Sequence, residues 1–542
     1  MNPLDQPLHA CRALVVDGQP ISRSTLSGML RDLGIGQVSS CNRPSEAQRL
    51  MAERGGYDFV LCEQHFDGGE PGGQELLDDL RRNRQLPYWT VFIIVTAEAT
   101  HAKVSEAAES SLDGYLVKPA TTTALGERIS QARKRKQALQ DIFLAIEAGR
   151  LEQAALLCLK RFTERAEYFL YAARIGAEVL LRLGKPEAAR KFFEAIREVR
   201  QVPWGSLGIA RAEADAGASQ QARRTIENLI ADNPGYADAY DLMGRIHVDQ
   251  GDFVGALATY RTATALTPRS LTRLQKEGTL AFYVGDVEEA EQVLDRAVAL
   301  DAGNRMFDLQ TLALLALLKY ERGDVPGLGR VQQRLASVQR RHPDSRRIQR
   351  LAQLATLLHK AAAADADGAR QDLLGLAEQR RDDDFDVEAG SNLTAVIARL
   401  HTRGLDTPEA ASWGSEVGLR FCVSNAATEL MCGAARGHDA LQNQLRQAHE
   451  DINAASEQAM KLSMAGHGEA AVQMLLLQGG ETLNSRLIDL AGKLLQRHGD
   501  TIATREQLAA QAARLLQRHC SLGTRLPLTD RGREAGALAL NF

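Results

Sequence analysis

The chain has 542 residues, 44% of them hydrophobic and 25% charged. That length and balance imply roughly two to four globular domains and exclude a low-complexity or disordered chain. A net charge of -4 leaves no global excess of positive charge for nucleic acid or an anionic membrane surface.

The first ten residues, MNPLDQPLHA, hold an acid and two prolines where a signal peptide has a basic and then an apolar stretch. Short apolar strands then alternate with helical patterns. Ala13–Val16 reads as a strand, and Ser22–Leu33 as an amphipathic helix with Leu26, Met29, Leu30 and Leu33 at helical spacing. Gln37–Ser40 is a weaker strand and Pro44–Glu53 a helix. Phe59–Cys62 is a strand and Gln74–Arg82 a helix. Val91–Val95 is the clearest strand, His101–Ser110 is helical, Tyr115–Val117 is a strand, and a helix begins near Thr122. Continuous apolar strands in βα units suit an α/β doubly wound, five-stranded parallel sheet covered on both faces. In such a sheet function collects at the carboxyl ends of the strands. Those ends carry Asp17 and Gly18, then Glu63, then Thr96, then Lys118 followed by Pro119.

An acid, an acid, a hydroxyl and a lysine on one rim, within LVVDGQP, YDFVLCE, VFIIVTAEA and DGYLVKPA, resemble the receiver domain of two-component response regulators. The resemblance implies a flavodoxin-like domain over residues 1–130. It implies a phosphoacceptor at the end of the third strand and Mg²⁺ held by neighbouring acids. It further implies a hydroxyl and a lysine on the phosphoryl oxygens, and an aromatic that moves with the switch. By position, Thr96, Lys118 and Tyr115 match, and Asp17 matches the first acid. Two positions depart from the pattern. Gly18 stands where a second acid is expected, and Glu63 stands at the phosphoacceptor. Any metal would fall to Asp17 and Glu63, at a weakened or absent site. The loop at 67–73, DGGEPGG, is also richer in glycine than the family pattern. Glutamate is one methylene longer than aspartate, so its charge sits about where part of an aspartyl phosphate would sit, within reach of Lys118. These departures read as a pseudo-receiver, either fixed near one signalling state or kept as an inert scaffold.

The next stretch repeats. At a spacing of 34 residues Gly217, Gly251 and Gly285 align, as do Ala222, Ala256 and Ala290, Gly244 and Gly278, Pro234 and Pro268, and Tyr260 and Leu294. Gly-Asp-Val at 285–287 recurs at 323–325, displaced by four residues. Period and punctuation resemble the tetratricopeptide repeat (TPR), a helix pair in which glycine ends the first helix and small residues let the two approach. An all-α TPR-type solenoid is expected over 131–345. The apolar run near Thr311–Leu318 is too short to span a bilayer. From about 346 to 542 the period fades. Leu351–Lys360, Ala369–Arg380, Ser391–Arg403, Thr407–Val423, Ala440–Gly466, Glu469–Gly479, Ser485–His498 and Thr504–Cys520 still read as helices, either degenerate repeats or a cap.

Other candidates read as structure. Arg-Lys-Arg-Lys at 133–136 reads as a solvated face of a connecting helix, because no aromatic residues interleave. The acidic stretch at 380–388 lacks calcium-loop spacing and reads as a charged inter-helix loop. Seven scattered cysteines without a Cys-x-x-Cys pair fit a reducing, cytoplasmic setting. The expectation is a non-enzymatic signalling adaptor with no required cofactor. A protein partner would lie in the TPR groove, and a histidine kinase or other signalling partner at the receiver. A homodimer is compatible with this; nucleic acid and membrane insertion are not expected. Two alternatives stay open. One is an ordinary phosphorelay response regulator, modified at Glu63 or at Asp67. The other is a structural scaffold without signalling.

Overall fold

Alternating side chains along three apolar strands divide the N-terminal core into two layers. Leu14, Val16, Val60, Cys62, Phe92 and Ile94 face one side, while Ala13, Val15, Phe59, Leu61, Ile93 and Val95 face the other. The structure is a computed structural model that describes residues 3–53, 56–66, 72–97, 113–300, 307–405, 407–498, 502 and 504–520. Strands β1 (Arg12–Val16), β2 (Gln37–Cys41), β3 (Phe59–Glu63), β4 (Val91–Thr96) and β5 (Gly114–Val117) form a parallel sheet in the order β2-β1-β3-β4-β5. Helices α2 (Pro44–Glu53) and α3 (Gly73–Arg82) supply Met51, Leu76 and Leu80 to the first layer. Helices α1 (Pro20–Asp32) and α4 (Thr122–Ala138) supply Leu26, Leu30, Leu125 and Ile129 to the second. The helix expected at His101–Ser110 lies outside the described residues.

Helix pairs follow. They are α5 (Gln140–Glu147) with α6 (Leu151–Thr163), α7 (Phe169–Arg182) with α8 (Pro186–Val199), and α9 (Pro203–Asp215) with α10 (Ser219–Asp232). Next come α11 (Ala237–Asp249) with α12 (Phe253–Leu266), α13 (Leu271–Val284) with α14 (Val287–Ala299), and α15 (Gln310–Arg322) with α16 (Val325–Arg341). The turn inside each pair holds one glycine, at 149, 184, 217, 251, 285 and 323, with φ between +67° and +98°. A side chain is strained in that region, so glycine ends the first helix. In three of the six pairs an aspartate follows the glycine and starts the second helix. Asp252, Asp286 and Asp324 accept the N–H of Gly255, Glu289 and Gly327 at 2.9, 3.2 and 2.9 Å. This explains why Gly-Asp-Val survives displacement, since the motif belongs to the turn rather than to the count. A Cβ on Gly244 would lie 2.5 Å from the Tyr260 ring, and one on Gly278 would lie 2.5 Å from Leu294. The two matched positions thus perform the same close approach one repeat apart. First helices of successive pairs are bridged by Arg211 to Glu178 (2.6 Å), Arg245 to Asp215 (2.5 Å) and Arg273 to Asp241 (2.7 Å).

Beyond residue 345 lie α17 (Arg346–Ala362), α18 (Ala366–Glu378), α19 (Val387–Thr402), α20 (Ala410–Phe421), α21 (Asn425–Ala434) and α22 (Asp439–Met464). Helices α23 (Gly468–Thr482), α24 (Ser485–His498) and α25 (Arg505–His519) complete the described chain. The sequence reading gave no element at α21. Its signal was the cap, Ser424, whose hydroxyl accepts the N–H of Ala427 at 3.2 Å. One apolar core runs from Val248 to Leu445 without a break at 345. Helix α15 is buried from Gln310 to Tyr320, as a helix covered on every side must be. Its cover is the chain's own C-terminal region. Gln310 and Asn392 exchange hydrogen bonds of 2.7 and 2.9 Å, Tyr283 Oη meets Ser391 Oγ at 2.9 Å, and Arg436 donates to the Phe282 carbonyl at 3.1 Å. The groove surface of α13 and α15 is therefore occupied by α19 and α21. The loop at 380–388 is charged but anchored, with Phe385 buried and Asp383 paired with Arg518 at 2.8 Å. The basic run at 133–136 departs from its reading. Lys136 is 2% exposed and is not part of a solvated face. Among the described residues no helix is long and apolar enough to cross a membrane.

Candidate functional site at the carboxyl rim of the sheet

Parallel register assembles the rim. Val16 pairs with Cys62, so the next residues on β1 and β3, Asp17 and Glu63, come side by side. Glu63 is level with Val95 and Thr96 with Val117, which brings Lys118 just above them. The Lys118 ammonium bridges both acids. It donates to Asp17 Oδ2 at 2.8 Å and to Glu63 Oε2. Asp17 is fully buried and also accepts from the Gln19 N–H at 2.8 Å and the Ser22 hydroxyl at 2.6 Å. The Arg23 guanidinium holds the Asp17 carbonyl at 2.6 Å. Ser22 and Arg23 escaped the sequence reading. Their only signal was their place on the first turn of the helix that follows Asp17. Glu63 Oε1 accepts its neighbour's N–H, that of Gln64, at 3.0 Å. Thr96 and Tyr115 are both buried, Tyr115 within the layer that holds Cys62 and Ile94.

Gly18 is exposed, and a Cβ there would meet nothing nearer than the Phe66 ring at 3.7 Å. The missing second acid is thus a matter of residue choice and not of space. Gly72 and Gly73 are different. A Cβ on either would lie 2.6 Å from a backbone oxygen, of Gln64 or Glu63, so they let α3 start tight against the end of β3. Asp67 and the rest of the loop to 71 lie outside the described residues.

Among the described residues the donor set does not fit Mg²⁺. Asp17 and Glu63 direct their oxygens at N–H, O–H and ammonium donors, and position 18 offers no side-chain oxygen. Among the described residues no group of three or more His, Cys, Asp or Glu side chains could hold a metal ion. An octahedral cation that keeps its waters needs open carboxylate oxygens.

Burial acts to lower the Lys118 pKa, but its hydrogen bonds to Asp17 and Glu63 outweigh burial, and the pKa stands raised. A lysine raised above its unfolded value contributes stability below that value and loses it as pH climbs past the folded one. The rim is therefore expected to hold unchanged across the neutral range and to loosen only above pH 10.5. Denaturation of the wild type and of Lys118→Met from pH 7 to 11 checks this. A difference between them that vanished by pH 8 would contradict the pairing.

A parallel α/β sheet with an acid-lysine rim, followed by stacked helix pairs, defines a receiver-fold signalling module joined to a TPR-type solenoid. The response regulator receiver domain family matches residues 13–130. Chemotaxis protein CheY-3 of Vibrio cholerae is 30% identical over 124 residues, which cover 23% of this chain and 92% of that protein. The chain belongs to the response regulator receiver family through this N-terminal domain. Among solved structures, a response regulator receiver domain protein from Clostridium thermocellum is 22% identical and covers 24% of this chain and 98% of its own, with a TM-score of 0.21. A tetratricopeptide repeat protein from Parabacteroides merdae is 11% identical and covers 52% of this chain and 98% of its own, with a TM-score of 0.34.

Proposed function

We propose that the chain is a non-enzymatic signal-transduction adaptor in the cytoplasm. Its pseudo-receiver is not phosphorylated in the ordinary way and positions a helix-pair solenoid for protein recognition. One observation carries the reading: Lys118 bridges Asp17 and Glu63 beside a glycine at position 18. In-line phosphoryl transfer needs an acceptor oxygen placed to a fraction of an ångström, and small misplacements are costly. Glu63 has both oxygens engaged and carries the extra methylene, so its charge does in the resting protein what an acquired charge would otherwise do. The rim is thereby held near one state, with Tyr115 packed inward.

The solenoid supplies recognition. Because α19 and α21 cover α13 and α15, the partner's place in the groove is confined to the earlier pairs, over α7, α9 and α11. A histidine kinase or other signalling protein would dock on the receiver face around β4 and β5. The test is intact mass after acetyl phosphate, with and without Mg²⁺, on the full chain. No gain is expected. A stoichiometric Mg²⁺-dependent gain at Glu63 or Asp67 would establish the ordinary phosphorelay reading instead. A pull-down with mass spectrometry, comparing wild type with Glu63→Gln, separates an adaptor from a scaffold. The adaptor reading expects a partner whose recovery depends on Glu63.

A further inference from the structure

The basic run at 133–136 holds an arrangement that the adaptor reading does not use. Lys136 lies in the last turn of α4, where the receiver ends and the helix pairs begin. Its ammonium donates to the carbonyls of Tyr88 at 2.6 Å and Thr90 at 2.8 Å and pairs with Asp113 at 2.9 Å. Three protons meet three acceptors, as a buried ammonium requires. Asp113 is itself buried. Its other oxygen accepts the N–H of Phe92 at 2.9 Å, and its carbonyl accepts from Arg135 at 2.7 Å. One lysine thus ties together the amino ends of β4 and β5. Burial draws its pKa down to about 8, against the opposing pull of Asp113.

The solenoid grips the same point from its own side. Tyr88 stacks on Phe143 of α5 with ring centres 4.9 Å apart and planes 14° apart. Its N–H donates to Glu147 at 3.2 Å. Tyr88 is buried in one core with Leu139, Ile142 and Phe143 and with residues of α6 to α9, apart from both layers of the sheet. The Arg135 guanidinium lies over the Tyr171 ring of α7 at 4.4 Å. Domain linkers are commonly exposed, polar and crossed by few contacts. This junction is buried, aromatic and fully hydrogen-bonded. Helix α4, which ends in it, begins at Thr122, just beyond Lys118.

We infer that Lys136, Asp113 and Tyr88 form a rigid joint, so that the receiver and the first two helix pairs move as one body. Helix α4 then carries a change at the Lys118 rim into the solenoid. The transmission rests on the receiver acting as a positioning domain; the rigidity of the joint does not.

Hydrogen exchange with mass spectrometry on the full chain tests both parts. In Lys136→Met, amides on both sides of the joint, at 88–92 and at 140–163, are expected to exchange roughly tenfold faster, as local opening becomes easier once Asp113 loses its partner. The core from Val248 to Leu445 should keep its protection. Phe143→Leu removes the ring stack and leaves every charge paired. It should give the same two-sided pattern at smaller size, and it decides the matter alone if Lys136→Met does not fold. Faster exchange confined to one side of the joint would overturn the rigid body. Glu63→Gln should alter protection at 140–163 in the wild-type background and not in the Phe143→Leu background. A change confined to the receiver in both would overturn transmission while leaving the joint standing. Phosphoryl uptake at the rim, measured separately, would overturn the pseudo-receiver reading and neither of these.

Discussion

Lys118→Met is expected to destabilise the receiver by about 2–4 kcal/mol, somewhat below the range for a fully buried pair, because the side chain keeps some solvent. Glu63→Gln is expected to cost only about 1 kcal/mol. The asymmetry follows from the geometry. Lys118 is shared, and its loss leaves Asp17 and Glu63 side by side with no cation between them. Like charges at that separation oppose each other, and Asp17 has no solvent to relieve it. Loss of the Glu63 charge leaves Lys118 still bonded to Asp17. The double variant should cost less than the sum, since it removes the repulsion that Lys118→Met alone creates. Denaturant titration of the four-variant cycle measures this. Equal single effects that add would mean that the three side chains do not act as a unit. Tyr115 gives a second readout. It is 9% exposed, and solvent labelling of its ring should rise in Glu63→Gln if the glutamate holds the rim in one state. Unchanged labelling would reduce the receiver to a spacer.

Ala256→Trp is expected to destabilise the central solenoid by about 1–3 kcal/mol or more through overpacking. Ala256 is fully buried on α12, within the core that also contains Tyr260, Leu294 and the whole apolar face of α15. Its matched positions, Ala222 and Ala290, are also fully buried. An indole at the crossing would force α11, α12 and α13 apart, and stacked pairs pass that strain to their neighbours. The receiver layers and the core around Phe143 are separate clusters and should persist. Thermal unfolding followed by circular dichroism should therefore show an early transition for the solenoid and a later one for the N-terminal body. A single transition that shifts as a whole would show instead that stability is shared across the chain.

The strands, their order of chemistry and the repeat were all legible without coordinates, and for local reasons. A buried parallel strand must be apolar throughout, so Val91–Val95 stood out, and its rim residue had to follow it directly. The turn of each pair needs a left-handed residue, so glycine marks the same place each time, and at 252, 286 and 324 an aspartate follows it as the cap. Gly244 and Gly278 were visible as a matched pair because each must let a neighbouring side chain come within 2.5 Å of where a Cβ would sit. These requirements act over a few residues or over one fixed period.

What the tertiary structure alone decided involves partners far apart in sequence. The sequence allowed Glu63 to reach Lys118, but only the register of β1 against β3 makes Asp17 the third member and so makes the lysine worth more than the glutamate. Helix α21 is ten residues long, and its stability comes from lying against α13, α19 and α22 rather than from a long periodic face. The groove over α13 and α15 is filled by helices far along the chain, as the pairing of Gln310 with Asn392, 82 residues further on, shows. Lys136 sits in a basic run that has the composition of a surface, and it is buried because the end of α4 meets two carbonyls and a carboxylate at the base of the sheet. Composition fixes what a side chain requires, whereas the acceptors that satisfy it are placed by the packing of distant elements.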